Sequence, residues 1–421
     1  MQDGSQNHST DFARRCRIAR WKGKSSTGDG LKPEVLLLPS LADIPAAEWD
    51  RLAGGQPFLR HAFLHGLETT GCVGPGTGWT PCHVALRHQD RWVAAAPMYL
   101  KEHSFGEYVF DWAWARAYEQ HGLDYYPKLL AAIPFTPVSG PRLLAEDPCW
   151  LDPLAQAMVA LQEQQGCSTL HVLFPREAER EALAAQGAML RQGVQFHWHN
   201  QGDADFEAFL ARLTRDKRRK IRQERRRVAD AGVTLRRLTG PAINEDMWRF
   251  FNRCYRNTYR EHGSSPYLNA AFFRHLGTSL PEHLLMVVAE REGRPIAAAL
   301  DVHDGERLWG RHWGALEHVP GLHFEACYYQ GIEFCIERGL RVFEGGAQGE
   351  HKLARGFLPV TTWSAHHVAD RRFAKAIGEF LARECHGIAH YVDELGEHAP
   401  YRPSTGRDIN GSGSGTAGFQ D

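Results

Sequence analysis

The chain has 421 residues, of which 24% are charged and 43% hydrophobic; this is the composition of an ordinary folded protein, in a chain longer than one typical domain of about 100–200 residues. Lys and Arg number 49 against 50 Asp and Glu, which excludes a globally basic or acidic protein and leaves any electrostatic partner to be read from local charge. Nine scattered cysteines, odd in number and without a C-x-x-C pair, argue against a disulfide framework or a structural zinc, and the longest apolar run, Trp92 to Leu100, is far short of the ~18 residues of a membrane span.

In chain order, residues 1–32 carry Arg14, Arg15, Arg17 and Arg20 among polar residues in place of an apolar signal region, and are expected to be a disordered tail of a cytoplasmic protein. A first meander of strands is predicted over His83–Arg87, Trp92–Leu100 and Tyr108–Trp112, with turns between them. The stripe Leu151, Leu154, Ala155, Met158 and Leu161 predicts a helix stopped by Gly166, and Thr169–Phe174 a strand after it. The same plan returns about 200 residues later, a spacing that marks duplicated domains and not a solenoid. Strand runs from Leu285, Pro295 and Arg307 are followed by a helix through Phe324, Tyr328, Ile332, Cys335 and Ile336, which Gly339 stops before a strand ending at Glu344. A late helix carries Phe373, Ile377, Phe380, Leu381 and Ile388 on one face. The expected fold class is α/β (α+β), with mixed, partly antiparallel sheets in two domains, 33–200 and 201–403, and a disordered Gly/Ser-rich tail over 404–421.

Between the halves, Phe206, Phe209, Leu210 and Leu213 predict an amphipathic helix that leads into Arg212–Arg227, where ten of sixteen residues are Lys or Arg. Beyond Leu213, the only apolar residues are Ile221 and, just after the run, Val228, so one narrow seam docks and the rest is an exposed cationic rod. Two readings stand: a phosphate-binding surface centred on Arg218, Arg219, Lys220 and Arg222, for tRNA, a nucleotide-linked donor or an anionic acceptor, or a solvated linker helix partly paired to acidic neighbours.

The two halves, the segment Tyr125-Tyr-Pro-Lys with Ile133-Pro-Phe-Thr-Pro-Val, the basic helix, and the stretch from Phe324 to Phe357 together resemble the double-GNAT proteins of the FemABX type, over roughly residues 33–400. Within them the chain is most similar to the bacterial family of peptidoglycan biosynthesis/recognition, or GNAT family N-acyltransferases. The resemblance implies two tandem GNAT (acyl-CoA N-acyltransferase) domains and transfer of an acyl or aminoacyl group to an amine acceptor, a small molecule or a cell-wall glycan precursor. The donor substrate it implies is acyl-CoA or aminoacyl-tRNA, with no tightly bound cofactor, no metal and no obligate protein partner. The chain departs from the Gly-rich Q/R-x-x-G-x-G/A loop of a standard GNAT, because Val319-Pro-Gly-Leu-His-Phe offers one glycine, and this weighs against tight acetyl-CoA binding in the second copy. A non-catalytic protein holding an anionic glycan precursor or nucleic acid is the alternative.

Acyl transfer to an amine needs a base, a partner for the carbonyl oxyanion and a cleft that aligns both substrates. The stretch Glu344–Phe357 supplies these residue types at the C-terminal end of a strand, where α/β sheets open their clefts. Lys352 is expected as oxyanion or phosphate partner and Glu344 or His351 as base. Asp124, Tyr125 and Tyr126 of the first half, with His323, Tyr329, Gln330, Gln348 and Arg355 of the second, are the expected substrate-binding residues. His197 and His199 share a strand face as a metal pair would, but no third ligand follows at a suitable spacing. The hydrolase and NTPase signatures G-x-S-x-G, H-E-x-x-H and the Walker loop are absent from the sequence.

Overall fold

The structure is a computed structural model that describes residues 33–346 and 349–402. Both expected tails and Gln348 therefore lie outside the described residues. The first half runs β1 (Glu34–Leu38), α1 (Ala46–Ala53), α2 (His61–Thr69), β2 (Trp79–Pro81), β3 (His83–His88), β4 (Arg91–Ala96), β5 (Met98–Lys101), α3 (Trp112–Gln120), β6 (Lys128–Ala131), β7 (Leu144–Ala145), α4 (Leu151–Gln165), β8 (Thr169–Leu173), α5 (Glu177–Ala185) and β9 (Met189–His199). The second runs α6 (Phe206–Arg212), α7 (Arg215–Asp230), β10 (Val233–Thr239), α8 (Glu245–Glu261), α9 (Ala270–Ser279), β11 (Leu284–Arg291), β12 (Arg294–His303) and β13 (Arg307–Ala315). A helical stretch follows, with a π-turn at Glu325–Tyr329 that opens into α10 (Gln330–Arg338), then β14 (Val342–Glu344), a 3-10 turn Glu350–Arg355, β15 (Leu358–Val368) and α11 (Arg371–Glu397).

Each half contains an antiparallel meander, a helix and one parallel strand pair, β6 with β8 and β13 with β14, so the crossover expected from the sequence is present twice. The halves are interleaved. One large sheet has the order β10-β11-β12-β13-β14-β9-β15-β8-β6-β5-β2, and β15 of the second half lies between β9 and β8 of the first. A smaller sheet, β1-β3-β4-β7, flanks it.

Two local expectations are corrected. The run Trp92–Leu100 is broken at Pro97, which has no N–H to give to a ladder, so β4 stays in the small sheet and β5 joins the large one. Tyr108–Trp112 is not a strand: Tyr108 sits in the left-handed region at φ 64°, and the segment is a loop that leads into α3. The helix stops hold, since Gly166 and Gly339 both adopt the left-handed conformation as C-caps.

An aromatic core joins the halves: Phe58 and Phe63 of the first meet Trp309 and Phe272 of the second edge-on, at 5.4 Å between ring centroids in each case. Helix α8 crosses β13 so closely that a Cβ on Gly314 would overlap the Cys254 carbonyl, which makes glycine a packing requirement there.

Candidate functional site

The parallel strands β13 and β14 pair only from Arg307 to Trp309 against Val342 to Glu344 and then part. At the point of parting β13 carries a bulge: Leu300 faces His312 and Asp301 faces Gly310, so Arg311 is the extra residue. A bulge bends a strand and re-aims the side chain it carries. Here it directs Arg311 toward the first half, where its guanidinium donates to the Phe135 carbonyl at 2.6 Å and lies 5.7 Å from the Phe58 ring. Phe135 holds the left-handed conformation at φ 58°, a conformation that costs free energy in a residue with a Cβ, and its ring stacks on Tyr267 at 4.9 Å. Arg311 was not singled out from the sequence. The available signal was a glycine, Gly310, inside the strand just before Arg311, the mark of a bulge or a close approach.

On the other side of the split, β14 ends at Glu344. Its carboxylate is buried, accepts from Arg307 at 3.0 Å, stands 3.9 Å from His197, and leaves Oε2 without a hydrogen-bond partner among the described residues. Burial pushes this carboxyl up to about 7 against the pull of Arg307. His197, buried and close to cationic neighbours, is pulled down to about 3 and is neutral.

The glycine-rich stretch after Glu344 is not a solvated loop. Lys352 is 2% exposed, its Nζ donates to the Gly346 carbonyl at 2.9 Å, and burial pulls the ammonium down to about 8. His351 is exposed, hydrogen-bonds Tyr328 Oη through Nε2 at 3.0 Å, and titrates below its ordinary value because of partial burial and the neighbouring Lys352 and Arg355. Its ring lies 6.3 Å from that of His323, which burial holds at about 4. His323 lines a pocket of about 290 Å³ at the start of the helical stretch, together with Thr258, Glu261, His262, Trp313 and His318. It does not cap the helix, whose first cap is Gly321. Glu344, His351, Lys352 and His323 are thus brought to the region where β13 and β14 part.

Tyr329, Gln330 and Arg355 are placed elsewhere, in a buried ionic network under the basic helix. Tyr329 donates to Glu224, Arg355 pairs with Glu224 at 2.6 Å and covers the Phe324 ring at 3.4 Å, and Gln330 donates to Glu325 at 2.8 Å. Arg225 completes the network by pairing with Glu325 at 3.0 Å and Glu333 at 2.7 Å. The docking seam of α7 therefore contains Glu224 and Arg225 as well as the expected Ile221 and Val228. Arg218, Arg219 and Lys220 have no acidic partner among the described residues, while Arg222 pairs with Glu207 at the exposed surface.

Asp124 stands apart from Tyr125 and Tyr126, whose rings lie 5.0 Å from each other and reach one polar cluster through Ser104, Lys128 and Asp111. Asp124 is exposed, Tyr126 meets Ser104 at 2.8 Å, and Tyr125 points into a buried cluster, donating to Asp111 at 2.5 Å. In that cluster Lys128 binds Glu107 at 2.8 Å and also Asp111. Ligand atoms of Glu107, Asp111 and His171 come within 4.8 Å of one another, but the Lys128 ammonium fills the place between the two carboxylates.

The profile of the FemAB-like family, described as peptidoglycan biosynthesis/recognition, matches residues 40–403. No curated protein matches the sequence. Among solved structures the fold is similar to FemX, with 11% identity and a TM-score of 0.50, over 80% of this chain and 98% of that one. A tandem GNAT protein from the clavulanic acid biosynthesis pathway aligns with 13% identity and a TM-score of 0.42, over 80% of this chain and 99% of that one. The mixed sheets with a parallel crossover pair in each half match the α/β class expected from the sequence, in a fold similar to that of FemX. No helix among the described residues is long and apolar enough to cross a membrane.

Proposed function

The chain belongs to the FemAB-like family of peptidoglycan biosynthesis/recognition, and from that premise we propose that it is a transferase that moves an aminoacyl group from aminoacyl-tRNA to an amine of a peptidoglycan precursor, in the cytoplasm. The observation that carries this reading is the buried Lys352 beside the split between β13 and β14, in the same region as a carboxyl group poised to exchange a proton near neutral pH.

In the proposed step the acceptor ammonium gives a proton to Glu344, or to His351, and the neutral amine attacks the ester carbonyl of the donor. Negative charge collects on that carbonyl oxygen, where the Lys352 ammonium stabilises it without reorganising, because the site is already built around it. Collapse forms the amide and expels the ribose alkoxide, which takes the first proton back from the base; the freed base then accepts the second proton from the former amine nitrogen and releases it to solvent. Arg311, at the face shared by both halves, holds an anionic group of the acceptor. Arg218, Arg219, Lys220 and Arg222 meet phosphates of the tRNA, with the salt dependence that counterion release imposes.

One lysine-dependent site fits acyl-CoA less well than aminoacyl-tRNA, because the turn before the helical stretch holds Gly321 alone for close approach of a pyrophosphate. The test is transfer of a labelled amino acid to a peptidoglycan precursor, with charged tRNA and acyl-CoA supplied separately. Product from charged tRNA alone supports the reading. Product from acyl-CoA alone replaces the donor, and binding of the precursor without product from either donor replaces the enzyme with a binding protein.

A further inference from the structure

Helices α3 and α11 run side by side over the large sheet and leave an apolar groove between them. At one end the ring of Tyr118 lies 4.0 Å from that of Phe373, and at the other Arg191 ties the two elements by donating to the Phe110 carbonyl and to Glu384, each at 2.7 Å. The groove encloses about 550 Å³ and is lined by Ala113, Trp114, Ala117, Phe373, Ala376 and Ile377.

Around it stand Phe105 at 55% exposure, Phe110 at 54%, and Leu123 and Phe380 at 39% each; the remaining large hydrophobic exposed to this degree among the described residues is Leu316, in the pocket of the second half. Such side chains in one place mark a contact surface and not the scatter expected of a soluble face. The charge around them has one sign in excess. On α3 and the part of α11 beside the groove, Arg116, Arg371, Arg372, Lys375 and Arg383 are exposed against Glu119, Glu379 and the nearby Asp124; the exposed Asp393, Glu394 and Glu397 of α11 lie in its last turns, beyond the groove. Arg371, Arg372 and Lys375 occupy the start of α11, which has no acidic residue in its first turn, so they stand at the positive end of the helix dipole where cations are disfavoured. Among the described residues only Arg372 has an acidic partner, its neighbour Asp370.

We infer that this face docks on the surface of a bilayer containing anionic phospholipid, with Phe105, Phe110, Leu123 and Phe380 entering the headgroup boundary and the cations of α3 and α11 meeting lipid phosphates. An apolar strip flanked by Lys and Arg is the pattern of an interfacial attachment, in which buried apolar area and attraction to anionic headgroups add. The attachment is peripheral and independent of the chemistry proposed for the split strands.

The test is co-sedimentation of the full chain with vesicles of phosphatidylcholine, with and without phosphatidylglycerol. Binding is expected to require the anionic lipid and to weaken at high salt. The triple variant Arg371→Gln, Arg372→Gln, Lys375→Gln should lower the partition coefficient by about fivefold per charge, about a hundredfold together. The pair Phe105→Ser, Phe110→Ser should lower it by about tenfold per ring. All five side chains are exposed or at an element end, and unchanged circular dichroism confirms an intact fold. Equal binding to both vesicles overturns the proposal. So does loss of binding in an Arg218→Gln, Lys220→Gln variant with the phenylalanine pair unaffected, since the basic helix would then be the attachment. Self-association abolished by Phe380→Ser, without vesicle binding, would assign the groove to a second copy of the chain.

Discussion

Substituting Glu344 by Gln keeps the shape of the side chain and an oxygen for Arg307 but removes the ability to take a proton. In the native protein burial holds this carboxyl at about 7 and the Lys352 ammonium at about 8. A base acts ionised and an oxyanion partner acts protonated, so kcat/KM should rise with pH through about 7 and fall through about 8, a narrow bell. His351, the other candidate base, titrates below 6.5 and would put the acid limb there instead. Glu344→Gln should lower kcat by ~10²–10⁴ and abolish the limb near neutrality, while His351→Gln leaves that limb in place.

The same shift has a sign in stability. A carboxyl raised from 4.5 to about 7 favours the fold when protonated, so the contribution is complete below pH 4.5 and is lost as pH rises through about 7. The loss is about 3 kcal/mol at 1.36 kcal/mol per unit, and the group is buried enough that little of it is screened. Gln imitates the protonated form at every pH, so above pH 7 the variant should be more stable than the parent while nearly inactive. The assays are kcat/KM from about pH 5 to about pH 10 and thermal unfolding across the same range. A limb that survives Glu344→Gln and disappears in His351→Gln refutes the assignment of the base, and a variant destabilised above pH 7 refutes the burial argument behind it.

Lys352→Met should reduce transfer by ~10²–10³ with Tm unchanged or higher, because among the described residues the buried ammonium has the Gly346 carbonyl alone as hydrogen-bond partner. Full turnover in that variant would move the oxyanion partner to another group. Phe343→Ala, at a side chain with no exposure packed on Gly331 and Phe357, should cost ~3–5 kcal/mol by denaturant unfolding. Arg355→Leu should cost ~3–5 kcal/mol by leaving Glu224 buried without its cation, and the double variant Arg355→Leu, Glu224→Leu should recover much of that loss. A double variant no more stable than the single one would show that the network contributes through packing alone.

The plan of strands and helices was legible because its signals are local: apolar stripes closed by Gly166 and Gly339, strand runs closed by turns, and their return in the second half. What could not be read locally is which strand meets which. Nothing in Leu358–Val368 announces that it inserts between β9 and β8, because pairing partners are set by the whole sheet. The same limit governs the candidate site. Glu344, Lys352 and His351 were visible as residue types following a strand, and the structure gathers them. Tyr329 and Gln330 follow Tyr328 on the same helix, and only the packing of α7 decides that they face its acidic and basic seam. Asp124, Tyr125 and Tyr126 are neighbours in sequence, yet Asp124 stays exposed while both tyrosines reach the Ser104, Lys128 and Asp111 cluster. Arg311 depends on a bulge, visible in the ladder and only hinted at by Gly310.

The basic helix shows how one charge run acquires two roles. The ten cations from Arg212 to Arg227 repel one another, and α7, which carries nine of them, is stable only if some are neutralised. Glu224 and Arg225 enter the seam between Ile221 and Val228, where Arg355, Tyr329, Glu325 and Glu333 satisfy them, so part of the run is consumed in attaching the helix to the π-turn region beside the split strands. The cations left over point away from that seam. They can be neutralised by solvent counterions or by a polyanion that displaces those ions, and the second outcome grows as salt falls. The attached face reaches the residues beside Lys352 through two side chains and one backbone group: Glu224 accepts from Arg355, and Arg355 donates to the His351 carbonyl at 2.6 Å.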